Sequence, residues 1–165
     1  MAELELTRDR EDRRLYTLAG VGSLRLEGLM SRSATANADG ETWRIARAGL
    51  WGRKIQAAGA DGSLAGEFDP RAIRRGGELR WRGQVFELRP ASHWRERYAL
   101  ARGDAELAVI EGKGWGRRSV KVQTAGGEAI DPGLLLFAAY VVRGLADDSS
   151  AGAAAAASST AATTS

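Results

Sequence analysis

Apolar and polar residues alternate in short runs along most of this chain. Ser23-Leu-Arg-Leu-Glu27, Thr42-Trp-Arg-Ile-Ala-Arg47, Leu79-Arg-Trp-Arg82 and Ser119-Val-Lys-Val-Gln123 all place apolar side chains on one side and polar ones on the other. A period of two over four to eight residues marks a strand with one buried and one wet face. Tight-turn dipeptides punctuate the runs: Asp39-Gly40, Asp61-Gly62, Gly76-Gly77, Gly103-Asp104 and Gly126-Gly127. The pattern predicts about twelve strands, near 3–7, 13–19, 23–28, 31–37, 41–47, 53–58, 63–68, 78–82, 84–89, 94–101, 105–111 and 117–124. With 21 glycines and 3 prolines, the chain suits a meander of hairpins.

One segment breaks this rhythm. Asp131-Pro132 is an N-cap followed by proline at the first helical position. Leu134 to Val142 is then apolar without interruption. The expected helix, near 132–146, has no solvated face and must be buried. Its apolar run is under half of what a bilayer span needs. A sheet of about twelve strands is too wide to stay comfortably open. Closed, it has a lumen wider than side chains alone can fill. A helix threaded through the lumen resolves both problems. The expected fold is therefore mainly β: an antiparallel barrel of about twelve strands enclosing a C-terminal apolar helix. Leu134, Leu135, Leu136, Phe137, Tyr140 and Val141 form the core of that helix. Residues 149–165 contain only Ala, Ser, Thr and Gly, and are expected to be a disordered tail on a single domain over 1–148.

The composition removes several classes of chemistry. No cysteine means no disulfide framework, thiolate metal site or cysteine nucleophile, and the lone His93 rules out a multi-histidine metal centre. No metal, cofactor or catalytic residue is expected. The acidic start, Met1 to Asp12, does not read as a signal peptide. A cytoplasmic protein, peripheral at the membrane, is the expectation. The net charge of +3 hides an uneven distribution. Residues 1–12 carry −3 and residues 144–165 carry −2, which leaves +8 on residues 13–143. Of 24 bases, 21 are arginine, a residue suited to phosphate and carboxylate partners. The plainer alternative is that these arginines only form the wet face of strands.

Two segments carry a family resemblance over residues 3–146. They are the hairpin Arg97-Tyr-Ala-Leu-Ala-Arg-Gly-Asp-Ala-Glu-Leu-Ala-Val-Ile110 and the helix Asp131-Pro-Gly-Leu-Leu-Leu-Phe-Ala-Ala-Tyr-Val-Val142. With about twelve short strands before that helix, the chain resembles the tubby-like β-barrel, in the group of phospholipid scramblases and LURP-one-related proteins. The resemblance implies an association with membrane phospholipids, phosphoinositide headgroups or partners not yet known. The chain lacks the scramblases' Cys-rich lipidated segment, Pro-rich N-terminal arm and trailing membrane helix, so calcium sites and lipid translocation do not carry over.

The candidate binding residues come from a near-repeat. Gly49-Leu-Trp-Gly-Arg-Lys54 is echoed 64 residues later by Lys113-Gly-Trp-Gly-Arg-Arg118. Trp51, Arg53, Lys54, Trp115, Arg117 and Arg118 would set an aromatic face beside paired cations. That combination fits a phosphate, a lipid headgroup at a membrane interface or a stacked base. The alternative is that both tryptophans are core or rim residues and the cations merely solvated. Arg80-Trp-Arg-Gly83 and Trp94-Arg-Glu-Arg97 also mix aromatic and basic residues, but alternation turns Trp81 inward. His93 with Ser92 and Glu96 makes no triad, because neighbours on a strand face opposite ways. Glu67 and Asp69 share strand parity as an acid pair or a polar strand end, and Gly20-Val-Gly22 lacks the context of a dinucleotide site. The expectation is a non-catalytic binding or accessory module that contacts anionic phospholipid or a membrane surface. The alternatives are a basic β-domain for single-stranded nucleic acid and a structural module with an unknown protein partner.

Overall fold

The computed structural model of the protein describes residues 2–28, 32–72, 75–92, 96–113 and 119–161. Alternation has produced strands where it was read. They are β1 (Ala2–Arg8), β2 (Leu15–Leu18), β3 (Gly22–Glu27), β4 (Ser33–Ala38), β5 (Glu41–Ala48) and β6 (Lys54–Gly59). The second half adds β7 (Leu64–Pro70), β8 (Gly77–Trp81), β9 (Gln84–Ser92), β10 (Arg97–Arg102), β11 (Ala105–Glu111) and β12 (Val120–Thr124). Each strand pairs antiparallel with its chain neighbours, and β1 pairs with β12 through Leu4↔Val122, so the sheet closes into a barrel. Closure leaves no free edge.

Two turns show how local sequence sets the register. Asp39-Gly40 and Arg82-Gly83 both have positive φ at each residue, 50° and 76° in the first and 48° and 78° in the second. These are the dihedral signs of a two-residue hairpin turn whose twist matches the strands. Ala38↔Glu41 and Trp81↔Gln84 are the pairs they fix. β9 continues through Pro90, which has no N–H to give a ladder. The register shifts opposite it, between Arg97 and Tyr98, as expected where proline enters a sheet.

The lumen is filled by α1 (Pro132–Ala161). Asp131 starts it: Oδ1 accepts hydrogen bonds from the backbone N–H of Gly133 at 2.8 Å and Leu134 at 3.3 Å. Leu134 to Val142 are all buried, as are the inward residues of the strands around them. Trp43 and Trp81 meet edge to face at 5.5 Å, and Trp81 lies 5.7 Å from the Phe137 ring. Glycine makes room for these rings. A Cβ on Gly66 or on Gly133 would stand 2.5 Å from the Trp81 indole.

Helix α1 is longer than its sequence suggested. The expected buried helix near 132–146 is the inner part of a helix that runs on to Ala161, and residues 162–165 of the expected tail lie outside the described residues. Nucleation is the costly step in helix formation, and the buried turns inside the barrel supply it. The following alanine-rich segment then propagates the helix at little further cost. About 45 Å of helix results, and just past Ala146 the side chains of Asp147, Asp148 and Ala151 are exposed.

Candidate functional site

The barrel has two unlike rims. The chain enters α1 beside the turns β2–β3, β4–β5, β6–β7, β8–β9 and β10–β11. Helix α1 leaves beside β1–β2, β3–β4, β5–β6, β7–β8, β9–β10 and β11–β12. Connections at the helix-start rim carry Asp39, Asp61, Asp104, Glu128 and Asp131 against Arg82 alone. Described residues of the helix-exit turns carry eight bases against four acids: Arg10, Arg13, Arg14, Arg32, Arg53, Arg71, Arg75 and Lys113 against Asp9, Glu11, Asp12 and Glu96. The stretches outside the described residues between those strands add Arg74, Arg95, Arg117 and Arg118 by sequence. Most of the positive excess of the barrel body is thus gathered at one end.

The β5–β6 turn stands out on that rim. Leu50 is 99% exposed and Trp51 is 87% exposed. Gly49 and Gly52 bracket them at φ of 85° and 60°, and the N–H of Gly52 donates to the Gly49 carbonyl at 3.1 Å. The tight turn thrusts both side chains away from the barrel. Trp51 is therefore not a core residue, and its neighbour Leu50, which the sequence reading passed over, is as bare as it is. An apolar pair enclosed by glycines between two strands, outside the alternation of either, was the available signal.

Arginines surround this turn. Arg47 holds the lumen-facing parity of β5, two residues after Ile45 and in register with Ile55. At the mouth it leans over the helix, where Nη2 lies 3.6 Å from Asp148 Oδ1. Arg47, Arg53 and Arg71 line a cleft of about 260 Å³ walled by Ile55, Phe68, Val141 and Leu145. A wider cleft of about 640 Å³ on the other side of Arg47 is lined by Arg32, Trp51, Tyr140 and Arg143, with Asp147 and Asp148. Burial at this mouth pushes the Tyr140 phenol above its usual pKa.

The predicted site residues part company here. Trp51 and Arg53 face the mouth. Lys54 is outward in β6 and sits on the barrel wall, 3.5 Å from Glu67 and 3.7 Å from Asp69. Glu67 and Asp69 thus form an acid pair around a lysine. A hydrogen bond of 2.7 Å from Gln56 to Glu67, more than the lysine, holds the Glu67 carboxyl below its ordinary pKa. Trp115, Arg117 and Arg118 lie outside the described residues, as do His93 and Trp94. Trp81 is inward and buried. Arg47, Arg71 and Arg32 were not singled out in the sequence, since only barrel closure brings them round one mouth.

Among the described residues no group of three or more His, Cys, Asp or Glu could hold a metal ion. No helix among them is long and apolar enough to cross a membrane. Comparison with protein-family models, curated proteins and solved structures finds no match to this chain. The closed barrel around a helix has the architecture that the tubby-like resemblance implies, yet architecture alone identifies no family.

Proposed function

We propose that this protein is a non-catalytic module that docks on anionic phospholipid surfaces through its helix-exit rim. The observation that carries the reading is the exposed Leu50–Trp51 tip, whose Trp51 lines one cleft with Arg32 and Arg47 and whose chain neighbour Arg53 lines the adjoining cleft with Arg47 and with Arg71, itself paired with Glu87. An aliphatic and an indole side chain held out together fit the interfacial layer of a bilayer, where tryptophan is favoured. Arginines beside them would meet lipid phosphates, each contributing about 1 kcal/mol near such a surface. The acidic helix-start rim would point away from the membrane. The resemblance to scramblase and LURP-one-related barrels supports the same reading, with a cytoplasmic, membrane-peripheral location. Single-stranded nucleic acid is the weaker alternative, because Trp81 is sequestered among its arginines and leaves no stacking face there.

Sedimentation with vesicles tests the proposal. Vesicles rich in phosphatidylserine should pellet the protein at about 0.15 M salt and release most of it at about 0.5 M, as screening shortens the reach of surface charge. Neutral phosphatidylcholine vesicles should pellet little. Equal pelleting by both, or none by either, would refute it, and a tryptophan-fluorescence response to a single-stranded oligonucleotide would favour the alternative.

A further inference from the structure

The wider cleft at the helix-exit rim is lined by charges of both signs. Helix α1 forms one side of it with Arg143, Asp147 and Asp148, and the β5–β6 turn forms the other with Arg47 and Trp51. Arg32 reaches it from the connection between β3 and β4. Two carboxylates at the mouth of a rim that meets anionic lipid oppose that docking unless they take part in it.

Neither acid is locked in place. Asp148 Oδ1 lies 3.6 Å from Arg47 Nη2, and Asp147 Oδ2 lies 3.7 Å from Arg143 Nη1. Both separations exceed hydrogen-bond length. The two carboxylates are 66% and 65% exposed, which keeps such pairs weak. Arg32 makes no ion pair among the described residues. Burial chiefly raises the Tyr140 pKa, while Arg143 and Arg47 act against the rise and Asp147 with it. Charges of both signs thus converge on the one phenol in the lining.

That mixture selects by charge pattern. A bare phosphate would meet the arginines but be repelled by Asp147 and Asp148, and a bare amine would meet the acids but be repelled by the arginines. A ligand with both signs close together answers both sets, and each set rejects the wrong partner of the other. The planar fork of arginine suits phosphate and carboxylate, and a carboxylate accepts charge-assisted hydrogen bonds from a primary ammonium. A quaternary ammonium has no N–H to give and takes an aromatic cage instead, whereas Trp51 is the one exposed ring in this lining. Three arginines against two aspartates leave the cleft at +1. Gly144 lies in the same wall, and a Cβ there would meet nothing within 4 Å, so the space beside the charges is open.

We propose that this cleft is a headgroup site that takes phosphoserine, a phosphodiester carrying a primary ammonium and a carboxylate. Arg32 and Arg47 hold the phosphate, Asp147 and Asp148 take the ammonium, and Arg143 meets the serine carboxylate. The headgroup carries two negative charges and one positive, the complement of three arginines and two aspartates. Resting on the reading of this rim as a membrane-docking surface, the site adds selection among lipids of equal charge.

The test uses the full chain and two sets of vesicles of equal surface charge, one bearing phosphatidylserine and the other phosphatidylglycerol, which has no ammonium. Phosphatidylserine should bind about tenfold tighter. Asp147→Asn with Asp148→Asn should tighten binding to phosphatidylglycerol but not to phosphatidylserine, so that the preference closes. Gly144→Leu keeps every charge and the Leu50–Trp51 tip; with the thermal midpoint of the parent retained, it should bring phosphatidylserine down to the level of phosphatidylglycerol. Soluble glycerophosphoserine, which needs no membrane, should change the tryptophan fluorescence saturably, and Trp51→Phe should remove that change. Equal binding of the parent to both vesicles, or a preference that survives the aspartate changes, would overturn the headgroup site and leave the docking surface standing. A saturable response to glycerophosphoserine without binding to either vesicle would uphold the site and overturn the docking.

Discussion

Arg82 clasps Glu41 across the helix-start rim, its Nη2 donating to both carboxylate oxygens at 2.8 and 2.9 Å. The two residues are 41 positions apart and belong to different hairpins. The same guanidinium lies 5.7 Å from the Trp43 ring centre, a cation–π contact. Hydrogen bonding to Glu41 raises the already high arginine pKa, so Arg82 keeps its charge at any physiological pH. Both partners are about half exposed, which limits the pair to about 1 kcal/mol or less. Arg82 also stands at φ 48°, where a side chain is disfavoured. Glu41→Gln should therefore cost at most about 1 kcal/mol by urea denaturation. Arg82→Gly should be close to neutral, because relief at positive φ offsets the lost pair. A loss above about 2 kcal/mol in Arg82→Gly would mean that the clasp is coupled to the core beneath it.

The core itself depends on α1. Phe137 is fully buried against Trp81, and Phe137→Ala should cost about 3–5 kcal/mol through lost transfer energy and the cavity left behind. A chain ended before Asp131 would keep every strand but leave the lumen unfilled. It is expected to be insoluble or to melt without cooperativity in calorimetry. A soluble 1–130 fragment with a sharp transition would contradict the helix's role.

Close packing against glycine gives a sharper check of the same interior. At Gly66 an added Cβ would come within 2.5 Å of Trp81 and 3.2 Å of Phe137, and neither ring has a flexible end to give. Gly66→Ala should destabilise by about 1–3 kcal/mol, although alanine is the better residue elsewhere in a strand. Gly127→Ala, where nothing lies within 4 Å, serves as the control and should be near neutral.

The strands were legible because each run alternates cleanly, as in Leu24 and Leu26 inward with Arg25 outward. The helix was legible because nothing between Leu134 and Val142 could face water. Its continuation to Ala161 was not, since an alanine run reads as a weak helix until a buried turn precedes it. The site was half legible. Trp51 and Arg53 were named from a motif, but that motif also named Lys54, which parity sends to the outer wall. Arg47 and Arg71 lie 24 positions apart and share a cleft only because β5, β6 and β7 pair in order around the barrel.

The outer wall predicts a pH dependence. Gln56, and secondarily Lys54, favour the ionised form of Glu67. A folded-state pKa below the unfolded one contributes stability at neutral pH that is lost as pH falls through the folded value. Glu67→Gln removes that contribution. The variant should be less stable than the parent at pH 7, and the gap should narrow as pH falls through the depressed folded-state value and the parent's carboxyl is protonated. Denaturation curves at matched ionic strength measure it, and a gap constant across that range would show that Glu67 acts by shape rather than by charge.

The rim separates apolar from electrostatic attraction to a membrane. Leu50 and Trp51 project so far from the barrel that replacing both with serine should leave the thermal midpoint unchanged. In the proposed docking each side chain would pass from water to the interface, and fully burying one large apolar group stabilises by about 1.5–3 kcal/mol. Leu50→Ser with Trp51→Ser should therefore weaken binding to phosphatidylserine vesicles by at least about tenfold while its dependence on salt persists. Arg53→Glu has no ion pair to lose among the described residues. It should also weaken binding, but with a shallower salt dependence, because it removes charge and keeps the apolar tip. Parallel loss and parallel salt slopes in both variants would merge the two contributions, and undiminished binding in both would move the membrane contact away from this rim.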